Sequence, residues 1–274
     1  MIVQSAAEGD PHFVIMQVDH ARACGEFVGQ FGNATFATPE PLDLLTYVVA
    51  HHDEGWREVD GAPQRDPETA LPYNLTKTPV QRLIAIGSKS PDFNVKWHPF
   101  CGVISSMHTY GLYHGRYGLS DKFYIDTIAP EYRGAVAGMV QGEVNRQNRL
   151  KVALRANPDT AGWAEHTFLF YHYKLLQFFD TLGLYVHTQC AAHRKPTDFL
   201  NVPLSPTQDV TIHAHPRSND VVALTPYPFR VRRAGITTMG RYLTPLEEGE
   251  DVAMVIRGTP TATQTVYFIS GESP

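Results

Sequence analysis

The spacing of apolar residues changes character twice along this 274-residue chain. Ile2 to Val18 reads as extended, ending in the alternating run Phe13-Val14-Ile15-Met16-Gln17-Val18. Helical spacing then takes over. Ala21, Cys24, Phe27, Val28 and Phe31 form one apolar face, with Asp19 as the expected N-cap and Gly32-Asn33 as the stop. Pro41 opens a second helix, whose stripe Leu45, Val48, Val49 continues into His52 and which ends near Trp56. Asp60 to Lys77 is a loop long enough to cover a site. Further helices are expected from Thr78-Pro79 to Ile86, from Pro99 or Phe100 to Tyr113, and from Thr127 and Pro130 to about Leu154. The last of these carries Gly134, Gly138 and Gly142 at four-residue spacing, read as a face for a closely packed neighbour. Pro158 and Asp159 open what reads as the longest helix, reaching about His187 and apolar nearly all round from Phe168 to Val186.

After Pro196 the pattern is β-rich. Val210–His215, Val221–Leu224, Ile236–Met239, Val252–Ile256 and Thr265–Ile269 are short runs split by Pro, Gly and Asn, as in a small antiparallel sheet. The expected fold class is mainly α: a helical body over 1–196 and a β-rich C-terminal extension over 197–274 packed on it.

Composition narrows the function classes. The net charge of −5 argues against a nucleic-acid surface, and no apolar run reaches the roughly 18 residues of a membrane span. Three widely separated cysteines and a start without a secretory pattern lead us to expect a cytoplasmic protein. Thirteen histidines are unusual, and nine of them lie between His20 and His187.

Four polar residues interrupt apolar helix faces: His20, the pair His52-Asp53, and Asp180 within the stripe Leu169, Tyr173, Leu176, Asp180, Leu184. Buried imidazole and carboxylate are costly unless paired or metal-bound, and both ligate zinc, iron or manganese. His108 joins them through the stripe Ile104, His108, Leu112. His98 and His114 are further candidates for a second ion, and His172 is another histidine within reach. His166, His187 and His193 read as surface or helix-end residues. Glu54 is the nearest extra carboxylate, Arg22, Arg116 and Lys174 are available to neutralise phosphate, and Trp56, Tyr110 and Tyr113 to wall a pocket.

The order His20, His52-Asp53, Asp180 over helices resembles the HD-domain metal-dependent phosphohydrolase superfamily, across roughly Gln17 to His187. The segments Asp19-His-Ala, His52-Asp-Glu-Gly-Trp56, Met107-His-Thr-Tyr-Gly-Leu-Tyr113 and Pro226-Tyr-Pro-Phe229 are similar to an uncharacterised HD-like branch. The resemblance implies an HD-like helical bundle in which His20, His52, Asp53 and Asp180 ligate a divalent ion. It also implies that, with His108 as a further ligand, the site is dinuclear and Asp53 bridges.

The expected activity is hydrolysis of a phosphoester by one or two iron, manganese or zinc ions. Asp53 and His108 would act in catalysis, and Trp56, Tyr113, His114 and Arg116 would contact a small phosphorylated substrate. A di-iron oxygenase and a non-enzymatic metal-stabilised binding protein are the alternatives, and a homo-oligomer is compatible with the sequence. His213 and His215, two apart on one strand, read as a solvated or pocket-rim pair.

Overall fold

The computed structural model describes residues 1–271. Helices α1 (Gln17–Gln30), α2 (Leu42–Ala50), α3 (Arg57–Gly61), α4 (Val80–Ile86), α5 (Lys89–Asn94) and α6 (Pro99–Tyr113) lead to α7 (Gly115–Gly118), a single turn of unusual hand. Two long helices follow, α8 (Pro130–Ala156) and α9 (His166–Thr188), and α10 (Val252–Gly258) is short. Strands β1 (Ile2–Val3) and β2 (His12–Ile15) precede the helices; β3 (Thr197–Ser205), β4 (Gln208–Pro216), β5 (Val221–Thr225), β6 (Arg233–Leu243) and β7 (Ala262–Ser270) follow them.

Among the described residues these strands make one seven-stranded sheet in the order β1-β2-β6-β7-β5-β4-β3. This corrects the expected fold class of a mainly α, HD-like bundle with a small antiparallel extension. About 49% of the structure is helix and 20% strand, and the sheet is mixed and curled. Its N-terminal strands pair with the C-terminal part of the chain, His12 opposite Leu243 and Val14 opposite Arg241, while β5 and β7 run parallel. The sheet shares its core with the helices. Phe27 of α1 lies 5.4 Å from Phe268 of β7, and Phe178 of α9 lies 5.8 Å from Phe199 of β3. Helix α9 is apolar all round because α1, α2 and α6 pack on it together with β1 and β3.

Local corrections have local causes. Helix α1 begins at Gln17 with Met16 at its cap, so Asp19 lies in the first turn and pairs with Arg22. Helix α8, not the helix ending near His187, is the longest, and α9 starts only at His166. Val252–Ile256 is helical: Asp251 caps the Met254 N–H at 2.8 Å, and the buried pair Val252 and Ile256 has i, i+4 spacing. Gly134, Gly138 and Gly142 face open space, with no atom within 4 Å of where a Cβ would stand, so they mark no tight packing here. The close approaches lie elsewhere. A Cβ on Gly183 of α9 would meet Cys24 Sγ at 2.4 Å and the His20 ring at 3.1 Å, so glycine there lets α1 bring His20 against α9.

Candidate metal centre

Helix α2 does not run on to Trp56. It ends at Ala50, and Asp53 precedes a short 3-10 turn, Glu54–Trp56. The break matters because neighbouring residues on a continuous helix diverge by about 100°. Out of the helix, His52 and Asp53 both turn toward one point, with His52 Nε2 3.5 Å from Asp53 Oδ2. Gly55 lets the turn settle on α5: its N–H donates to Ser90 Oγ at 2.8 Å, and a Cβ there would crowd Ile86 and Ser90.

Four elements meet at that point. His20 Nε2, from α1, is 3.1 Å from Asp180 Oδ1 of α9, and His52 Nε2 is 3.6 Å from the same oxygen. The His108 ring, from α6, stands 5.1 Å from the His52 ring. Ligand atoms of His20, His52 and Asp53 lie within 4.8 Å of one another, as do those of His52, His108 and Asp180. His20, His52, His108 and Asp180 are buried, and Asp53 is the carboxylate that keeps some exposure. These buried groups can hold a metal ion.

The second nitrogen of each histidine is occupied by protein. His52 Nδ1–H donates to the Val49 carbonyl at 2.7 Å, and its buried Nε2 has no hydrogen-bond partner. His108 Nδ1 meets the Gln177 side-chain amide at 2.7 Å. With the amide turned so that its oxygen accepts the Nδ1 proton, His108 Nε2 carries the lone pair. His20 Nδ1 is 2.8 Å from His187 Nδ1, and His187 Nε2 is 2.6 Å from Thr238 Oγ1. A proton on His20 Nδ1 given to His187, and one on His187 Nε2 given to Thr238, leaves His20 Nε2 free as a donor atom. Three imidazole Nε2 lone pairs and two carboxylates thus share one centre.

Without a metal, a proton offsets part of the charge. Burial works against a charged His52, but the nearby Asp53 and Asp180 carboxylates outweigh it and hold His52 up at about 9. Burial also works against a charged Asp180, yet the His20 hydrogen bond and the nearby His52 keep its carboxyl well below the ordinary value. Burial raises the Asp53 carboxyl, against the pull of His52 and His20. Burial pushes His108 down to about 3 despite the Asp180 charge. A buried imidazolium between two carboxylates occupies the place where a divalent cation would satisfy the same charges.

Asp53, His52 and His108 also line a cavity of about 300 Å³, walled by Trp56, Leu75, Leu83, Ile86, Tyr113 and Tyr124. Leu75 and Thr76 come from the loop expected to cover a site. No Lys or Arg lines it.

Other sequence candidates lie elsewhere. His114 stacks on Tyr110 at 4.4 Å, and His98 caps α6 by accepting from the Phe100 N–H at 3.1 Å. Both His172 nitrogens meet backbone carbonyls, those of Phe168 and Glu40. Glu54 is held by His51 and Arg57. Arg22 is exposed, Lys174 pairs with Asp209, and Arg116 lines a different and larger cavity. His213 pairs with Asp198 on the exposed side of β4.

The sequence reading missed His187, Gln177 and Thr238. His187 and Gln177 carried a signal: they sit seven residues after and three before Asp180, on its face of α9. Thr238 carried none, since only the fold brings β6 to this helix.

No curated protein and no solved structure matches the chain significantly. The resemblance to HD-domain phosphohydrolases is overturned. The family that matches is another one, and a curled seven-stranded mixed sheet takes the place of the small antiparallel extension expected on an HD-like helical bundle. No described helix is long and apolar enough to cross a membrane. The match runs over residues 1–245, most of the chain, and the protein therefore belongs to the family described as protein of unknown function DUF3891.

Proposed function

We propose that this protein is a metal-dependent hydrolase of phosphoesters that carry an apolar group. One observation supports it above the others: the buried His52 Nε2 has no hydrogen-bond partner and points between two carboxylates, with two further histidines held in register beside it. His20, His52, His108, Asp53 and Asp180 would hold one ion. The two donor groups share His52, and the other candidate histidines are engaged elsewhere, so no second donor set forms among the described residues. Three nitrogens and two oxygens suit iron or manganese, ahead of a four-coordinate structural zinc.

When bound, the ion would lower the pKa of a water and polarise the phosphoryl oxygen. Asp53, which lines the 300 Å³ cavity, is the group to orient that water and take its proton. His108 serves as ligand rather than acid, because its Nδ1 is committed to Gln177. Trp56, Tyr113 and Tyr124 would hold the apolar group. Two carboxylates and one divalent ion sum to zero, and no Lys or Arg lines this cavity, which favours a singly charged diester over a dianionic monoester.

Metal analysis of the purified protein and a screen with bis(p-nitrophenyl) phosphate, p-nitrophenyl phosphate and p-nitrophenyl acetate test this reading. We expect about one iron or manganese per chain, fastest turnover of the diester, and a loss of about 10²–10⁴-fold in Asp53→Asn. Metal-free protein as purified, or diester turnover unchanged in Asp53→Asn, would overturn it.

A further inference from the structure

The larger cavity, of about 880 Å³, lies between α9, β3 and the segment from Leu112 to Thr127. It meets the smaller cavity at Leu112 and Tyr124, which line both. We propose that it binds an amphipathic anion, a carboxylate or phosphate on an apolar body, with Arg116 as the anchor.

Arg116 is half-buried and lines this cavity, and its guanidinium makes no hydrogen bond or ion pair among the described residues. The other charges lining it are mostly spoken for: Lys174 pairs with Asp209, and Asp198 with His213. Lys122, exposed at the rim, adds a second cation. The surplus is positive. The walls include Phe178, Leu184, Tyr185 and Phe199, enough apolar surface for an alkyl or aryl body.

The backbone beneath Arg116 is an independent observation. Residues 115–118 have φ of +56°, +50°, +57° and +88°, a full turn in the left-handed region. Two of the four are not glycine, and the left-handed region crowds the Cβ of any such residue. Single residues visit this region at turns, but consecutive ones are rare. Gly115 cannot be replaced cheaply, since a Cβ there would stand 2.6 Å from the Ser120 carbonyl oxygen. Strain of this kind is kept where the placement of a side chain is worth it, and the one placed here is an unpaired guanidinium. Gln177 completes the set. It is buried, lines the same cavity, and has a side-chain oxygen without a partner. Turned to accept from His108, its amide N–H₂ is left as a donor for the anion.

Isothermal titration of the full chain with decanoate, decyl phosphate and decanol tests the proposal. Decanoate and decyl phosphate should bind saturably, with decanol at least about 10-fold weaker, since a hydrogen bond to a charged group contributes about 1.5–3 kcal/mol. Arg116→Gly removes the charge and the strain together. It should raise Tm by about 2–4 °C while weakening decanoate at least about 10-fold. A folded Arg116→Gly that binds decanoate like the parent, decanol that binds as tightly as decanoate, or no saturable binding of either anion would overturn the proposal. Arg116→Gln, in which no backbone strain is relieved, should match Arg116→Gly in lost affinity; unchanged affinity there would overturn it equally.

Discussion

The metal centre and the Arg116 cavity are joined by Gln177, whose amide touches His108 and which lines the larger cavity. They are built on opposite principles. At the centre nearly every group is buried and partnered: histidines are fixed through Nδ1, and two carboxylates are offset in part by protonated His52. In the cavity a cation is half-exposed, unpaired, and held on strained backbone. The first arrangement asks only for a cation to replace a proton. The second is short of an anion. One fold thus keeps a pre-paid donor set beside a receptive pocket, and variants should affect the two independently.

The largest separation is expected from Asp180. Its carboxylate hydrogen-bonds His20 and stands 3.6 Å from His52 Nε2, so Asp180→Ala should abolish metal binding and destabilise the protein by about 3–5 kcal/mol, the usual result of removing one partner of a buried charge pair. Chemical denaturation and metal analysis read both effects. Asp180→Asn should keep more of the stability and still lose the metal, while decanoate binding stays within about 2-fold of the parent. A loss of decanoate binding parallel to the loss of metal would break the comparison.

Acidity should separate the two sites next. A ligand nitrogen must shed its proton, and His52 holds its own up to about pH 9. Metal affinity should therefore climb about tenfold per pH unit at first and about 50-fold in all from pH 7 to pH 9, in a chelator competition. A flat profile would show that His52 is not a ligand. The stability of the metal-free protein runs the other way. The folded pKa of His52 is raised, so its contribution is complete below the ordinary imidazole value of 6.5 and is lost as pH rises through about 9. Asp180 is depressed, so its contribution is present above the ordinary carboxylate value of 3.8 and is lost as pH falls below it. The metal-free form should be most stable between these limits.

A smaller effect is expected beyond the ligands. His187→Phe removes the acceptor that fixes the proton on His20 Nδ1, and metal affinity should fall by about 10–100-fold with Asp53 and Asp180 untouched. Thr238→Val, one bond further out, should cost less. If His187→Phe retained full affinity, His20 would be oriented by Asp180 alone.

The pattern of legibility follows from the range of the interactions. His20, His52, His108 and Asp180 stood out because polar residues on apolar helix stripes are a local signal, readable over four to seven residues. Gln177 and His187 lay within the same range of Asp180 but looked ordinary as residue types. The sheet was hidden because it joins β2 to β6 across most of the chain, and its parallel β5–β7 pair has no turn signal between strands. The break after Ala50 was invisible to periodicity, since His52 fits the stripe of a continuous helix and differs only in where Asp53 then points. The left-handed turn at Arg116 and Tyr117 contradicts the preferences of both residues, so only the fold can specify it.

The smallest effect tests the most local misreading, on α8. Gly134, Gly138 and Gly142 looked like a packing face, yet all three are exposed with nothing within 4 Å of a Cβ. In an exposed helix interior glycine is worse than alanine by about 0.8–1.0 kcal/mol, through the entropy it loses on folding. Gly138→Ala should therefore stabilise the isolated chain by about that amount and leave metal content and decanoate binding unchanged. The opposite sign would be informative. If Gly138→Ala lowered Tm, and sedimentation showed a dimer of the parent converted to monomer, the glycines would face a second copy of the chain. The homo-oligomer compatible with the sequence would then use this face of α8. A stabilised variant, with the sedimentation of the parent retained, would place any such contact elsewhere.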